Sequence, residues 1–132
     1  MFVGLEMRNN TSVARAQTRR EIAAQNVEMI MRVVEDEDLI RLYSEPWTME
    51  FYEGLSGVDQ TRLTYSAIGL VLRLEGTYLQ FKEGLLDEAD LLPYGFRQPH
   101  TREPWFRDSV WPGQRPALDP DFVQYFESIN GY

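Results

Sequence analysis

The sequence contains no cysteine, one histidine and one lysine. Without a thiol there is no disulfide framework, no zinc–thiolate centre and no thiol nucleophile. His100 is the lone imidazole, so the usual zinc ligand sets are nearly excluded within one chain. A carboxylate-only cation site has no motif behind it. Neither a metal nor a cofactor is therefore expected. Long apolar runs are also missing. The longest, Ala67-Ile68-Gly69-Leu70-Val71-Leu72, falls far short of the roughly 20 residues that a membrane span requires. Glu6 and Arg8 follow only a few apolar residues, which is not a signal-peptide pattern. These absences predict a soluble, cytoplasmic protein with no membrane partner.

Positive charge is scarce as well. Lys and Arg number 13 against 21 Asp and Glu, for a net charge of -8. Phosphate contacts need clustered positive charge, so nucleic acid is not an expected partner. All the basic residues except Lys82 are arginines. That skew reflects either base composition or networks in which planar guanidinium groups pair with carboxylates.

What is present suffices for one domain. At 132 residues and 43% apolar composition, a folded chain buries about two-thirds of its unfolded surface. The periodicity predicts an all-α fold: a compact helical bundle of five to six helices around a long central helix at 58–83. Residues 1–132 read as a single helical domain, with 1–10 an irregular arm, a short strand or an extension of the first helix. Thr11 or Ser12 is a suitable N-cap for a helix running to Val34. Ala16, Ala23, Val27, Ile30 and Val34 share one face of it, and Ile22, Met29 and Val33 form a second stripe. The acidic run 35–38 reads as the capped start of a short second helix, not as a calcium loop.

In the central helix, Ala67, Val71, Leu74, Tyr78, Phe81 and Leu85 repeat at the spacing of a coiled-coil seam. Tyr65, Ile68, Leu72 and Leu79 make a second apolar face. Gly69 and Gly76 are expected where another helix approaches closely, and Gly84 is the stop signal. Asp87 opens a further helix that Pro93 kinks or ends. Proline-rich residues 95–118 are expected to hold one short helix near 103–110 and then a loop pinned by tryptophans. Asp119-Pro120 starts the last helix, which ends at Asn130-Gly131.

Arg62, Glu75-x-x-Tyr78, Gly84-Leu85-Leu86-Asp87-Glu88, Trp105 and Asp119-Pro120-x-Phe122 together resemble a set of uncharacterised bacterial helical domains over residues 11–129. The resemblance implies a helical fold and carries no activity. Members often have a hydrophobic N-terminal membrane segment, which residues 1–10 do not spell out.

Three constellations are candidate sites. Glu75 interrupts an apolar face. It is expected to pair with Arg62, Arg73 or an arginine of the first helix, next to Tyr78, because an unpaired buried charge is costly. The segment Arg97, His100, Arg102, Trp105, Arg107, Trp111 and Arg115 is locally basic and aromatic, as interfaces and stacking sites are. Its plainer reading is a proline-braced loop whose tryptophans cover the core. His100 has a suitable pKa for acid–base work, but no nucleophile motif accompanies it. The leading expectation is a non-enzymatic helical interaction module that self-associates as a homodimer. The alternative is a small-molecule-binding protein or minor hydrolase with a pocket near Glu75 or segment 97–115.

Overall fold

The computed structural model describes the backbone of residues 2–92, 96 and 98–132, with side chains from residue 4 onward. It is an all-α fold, and no strand occurs among the described residues. Among the described residues seven α-helices follow in order: α1 (Phe2–Glu35), α2 (Glu37–Ser44), α3 (Met49–Glu53), α4 (Gly57–Lys82), α5 (Glu88–Leu91), α6 (Trp111–Gln114) and α7 (Pro120–Asn130).

The central helix forms as its sequence predicts. Ser56 Oγ accepts the Asp59 N–H at 3.2 Å, which satisfies one orphan donor of the first turn. At the far end the chain reverses at Gly84, whose φ of +82° is a left-handed conformation that favours glycine. There the Leu85 N–H bonds to Gln80 O and the Gly84 N–H to Phe81 O, both at 2.9 Å, the Schellman pairing. Ala67, Val71, Leu74 and Tyr78 of the seam are buried, while Phe81 and Leu85 are half-buried at its end.

Against that seam pack Leu42, Trp47, Leu91, Phe96, Trp105, Phe106, Trp111, Phe122 and Phe126. Burying a large apolar side chain stabilises by about 1.5–3 kcal/mol, so this layer dominates the fold's energetics. The remaining caps follow the sequence. Asp36 accepts the N–H groups of Asp38 and Leu39 at 2.9 and 3.3 Å. Asp90 reaches back to the Asp87 N–H at 2.8 Å. Asp119 caps α7 through the Asp121 and Phe122 N–H groups, with Pro120 in its first turn and Gly131 beyond its end at φ +76°.

Of the readings open for residues 1–10, the extension of the first helix holds: residues 4–10 are exposed helix, continuous with α1. Thr11 is consequently no N-cap; its hydroxyl donates to Met7 O at 2.9 Å in mid-helix. The stripe of α1 seated on the body is Ile22 with half-buried Met29 and Val33. The stripe Ala16, Ala23, Val27, Ile30, Val34 faces away from it. The short helix expected near 103–110 is present, but the segment after Val110 is not a loop. A 3-10 turn at Pro99–Arg102 leads to a π-helical turn at Phe106–Val110, then α6, then a 3-10 turn at Arg115–Ala117. Pro99, Pro112 and Pro116 each lie in the first turn of such a piece, where a missing N–H costs nothing. The expected break at Pro93, and Arg97, lie outside the described residues.

Candidate functional site

The described residues singled out from the sequence do not converge on one site. Arg62 joins an ion network between α2 and α4. It reaches Asp38 at 2.8 Å and Asp59 at 3.5 Å, and Arg41 reaches Asp59 at 2.7 Å and Asp38 at 3.3 Å. Arg62 first, then Arg41, hold the Asp38 carboxyl below its ordinary pKa by hydrogen bonding. Glu75 is half-buried, and no arginine pairs with it among the described residues. Its Oε2 instead accepts the backbone N–H of Asp119 at 2.7 Å, tethering the start of α7 to α4. The expected buried ion pair is thus replaced by a side-chain-to-backbone bond. Tyr78 is buried beside Tyr125, Phe81 and Phe122, with ring centroids 5.3 to 5.7 Å apart. Burial, then the nearby Asp121 and Asp119, raises the pKa of its phenol.

The tryptophans of the basic segment cover the core. Trp105 stacks on Tyr52 at 5.0 Å and meets Trp47 edge-on at 5.8 Å. Trp111 stacks on Phe126 at 4.4 Å and donates from Nε1 to Glu127 Oε2 at 2.7 Å. His100 leans on Trp47 at 4.4 Å, with its Nε2 3.1 Å from Glu45 O. That contact is a brace between segments rather than an acid–base dyad. Arg102 is exposed, and Arg107 closes on its neighbour Asp108 at 2.9 and 3.1 Å.

A groove of about 640 Å³ lies elsewhere, between α1, α2 and α4. Met29, Val33, Leu39 and Leu70 supply apolar walls, and Tyr43, Ser66 and Arg73 the polar groups. Arg73 donates to Asn26 Oδ1 on α1. Burial lowers the Arg73 pKa, partly offset by Tyr43. Burial also raises the Tyr43 phenol, against a hydrogen bond from Ser66 and the charge of Arg73. A phenol kept neutral is no base for Ser66. The groove's carboxylate, Glu28, is held by Arg32 at 2.6 Å. The groove therefore offers binding groups without an activated nucleophile.

Only Arg73 of these polar groups figured in the sequence reading, as a partner for Glu75. The available signal was Ser66, Gly69, Arg73 and Gly76, spaced 3-4-3 along α4, a small and polar stripe cutting through the second apolar face. The two glycines do not mark a close helix approach. A Cβ built on either meets nothing within 4 Å.

The other conspicuous surface is the outward stripe of α1. Val13 is 62% exposed, Val27 60%, Ile30 54% and Val34 56%. With Ala16, Arg20 and Ala23, all exposed, they repeat at alternating spacings of three and four, the heptad pattern of a helix seam. No helix is long and apolar enough to cross a membrane among the described residues. No group of metal-binding side chains occurs among them either. No family model, curated protein or solved structure gives a significant match to this chain.

Proposed function

We propose that the chain is a non-enzymatic helical interaction module that self-associates as a dimer through the outward face of α1. The observation that carries this reading is the apolar seam from Val13 to Val34, fully helical and uncovered by the chain's own body. Single apolar residues on a surface are ordinary, whereas a contiguous row marks a contact surface. The wild type should run as a dimer in size-exclusion chromatography with light scattering. The double variant Val27→Glu, Ile30→Glu should be monomeric with an unchanged circular dichroism spectrum. A wild type that stays monomeric up to its solubility limit sinks the proposal.

The net charge of -8 supports a protein rather than a nucleic-acid partner. A cytoplasmic location remains part of the proposal, and cell fractionation checks it. A second reading, a small-molecule-binding protein, is favoured by the groove of Tyr43, Ser66 and Arg73, whose polar groups converge between apolar walls. A thermal-shift screen, with Arg73→Met as control, tests it. A ligand that stabilises the wild type but not the variant supports the groove, and no stabilisation by any compound dismisses it.

A further inference from the structure

We infer that the two α1 helices of such a dimer pair antiparallel, each laying its basic half along the acidic end of the second copy. The inference rests on the self-association proposed above and adds the partner's orientation and register. The observation behind it is the charge polarity of the rod. Between residues 8 and 20, α1 has four arginines and no acidic residue, whereas its remainder, 21–35, contains three glutamates and one arginine. Arg15 and Arg19 are already engaged by Asp87 and Asp90 of the same chain, and Glu28 by Arg32. Arg8 and Arg20 at the basic end, and Glu21 and Glu35 on the acidic part, make no ion pair among the described residues. Complementary potentials set register and suppress wrong pairings.

The seam itself disfavours the parallel arrangement. Its positions are 13, 16, 20, 23, 27, 30 and 34, and Arg20 is the one charged member. In a parallel pair each seam residue faces its own copy, so Arg20 would meet Arg20 in the centre of the contact. In an antiparallel pair the layers become Ala16 with Val34, Arg20 with Ile30, and Ala23 with Val27. The two Arg20 side chains then lie about ten residues apart along the rod, roughly 15 Å at the helical rise, beyond the Debye length of about 8 Å at physiological ionic strength. Each arginine stem lies on an apolar neighbour while its head reaches water. Along the helix axis, Glu35 of the second copy falls level with residue 15, within the basic part of α1.

Ile22, which seats α1, is about 140° around the helix from Val27 at 3.6 residues per turn, so the middle of the seam points away from the chain's own body.

The absence of cysteine makes the test clean. Ala16→Cys and Val34→Cys, both at exposed positions, are prepared separately and oxidised alone and as an equal mixture. Products are read by intact mass, with light scattering on the wild type alongside. Disulfides form only where Cα atoms come within about 7 Å. The expected result is a cross-linked product dominated by the mixed 16–34 pair, with little from either variant alone. Efficient cross-linking of each variant with itself overturns the antiparallel arrangement and leaves the dimer standing. A wild-type dimer with no cross-link of any kind overturns α1 as the contact. A monomeric wild type overturns both this inference and the reading beneath it.

Discussion

Replacing Glu75 by Gln and by Ala separates a side-chain-to-backbone tether from a buried ion pair. In the structure the Glu75 carboxylate accepts the Asp119 N–H at 2.7 Å, just before α7. A hydrogen bond to a charged group contributes about 1.5–3 kcal/mol, and a neutral one about 1 kcal/mol. Gln keeps an acceptor oxygen at the same reach, so Glu75→Gln should cost about 1 kcal/mol. Glu75→Ala strands the N–H at a half-buried helix start and should cost about 2 kcal/mol. Unfolding entropy near 2.1 cal/mol/K per residue gives roughly 280 cal/mol/K for a chain of this length. Each kcal/mol is then worth about 3.6 °C in Tm, so the expected losses are about 4 °C for Gln and about 7 °C for Ala. Differential scanning calorimetry reads both. Had Glu75 been half of a buried ion pair, Gln would abandon an arginine and cost about 3–5 kcal/mol, moving Tm by more than 10 °C. A Gln variant as damaged as the Ala variant, or an Ala variant equal to wild type, refutes the tether.

Three further outcomes follow from the geometry. Gly76→Ala should raise Tm by about 3 °C, since alanine gains up to about 1 kcal/mol in a helix interior and its Cβ meets nothing within 4 Å; a fall in Tm would mean that something packs over that side of α4. The Asp38 carboxyl is held below its ordinary pKa by Arg62 and Arg41, so its contribution to stability is present above the unfolded pKa and is lost as pH falls through the folded one. Arg62→Gln should shift the Asp38 midpoint upward in a carboxyl-carbon NMR titration, and an unmoved midpoint contradicts the network. Trp111→Phe should cost about 2 kcal/mol by losing the Nε1 bond to Glu127 and leaving a void against Phe126; urea denaturation that matches wild type would show that Trp111 contributes little to the core.

The central helix, its glycine stop and the caps of α2 and α7 were legible because each depends on local chemistry. A capping oxygen, a left-handed glycine and a 4-3 apolar repeat act within a few residues of one another. α1 was legible as a helix but not in its orientation. Apolar side chains lie on both of its flanks, and only the three-dimensional body decides that Ile22 turns inward and Val27 outward. Segment 111–117 misled because proline reads as a loop signal, while in a string of one-turn helices it occupies first-turn positions that tolerate it. Glu75 was singled out correctly as a carboxylate in need of a partner. Its partner is a backbone N–H, however, and a backbone donor has no signature in side-chain spacing. The groove went unseen for a related reason: Met29, Tyr43, Ser66 and Arg73 are spread over three helices, and no motif links them.

The way α1 is fastened also bears on how the protein opens. Thr18 and Ile22 are its buried residues, and the ties from Arg15 and Arg19 to Asp87 and Asp90 are ion pairs with substantially exposed partners. Exposed pairs are weak and are screened by added electrolyte, whereas the aromatic layer on α4 is indifferent to it. Local opening free energy is therefore graded through the molecule. Amide hydrogens of α1 should exchange faster as ionic strength rises, while those of α4 hold at the global unfolding rate. Salt then regulates the docking of one helix without disturbing the core, and the chain divides into a firmly folded body and a separately releasable rod.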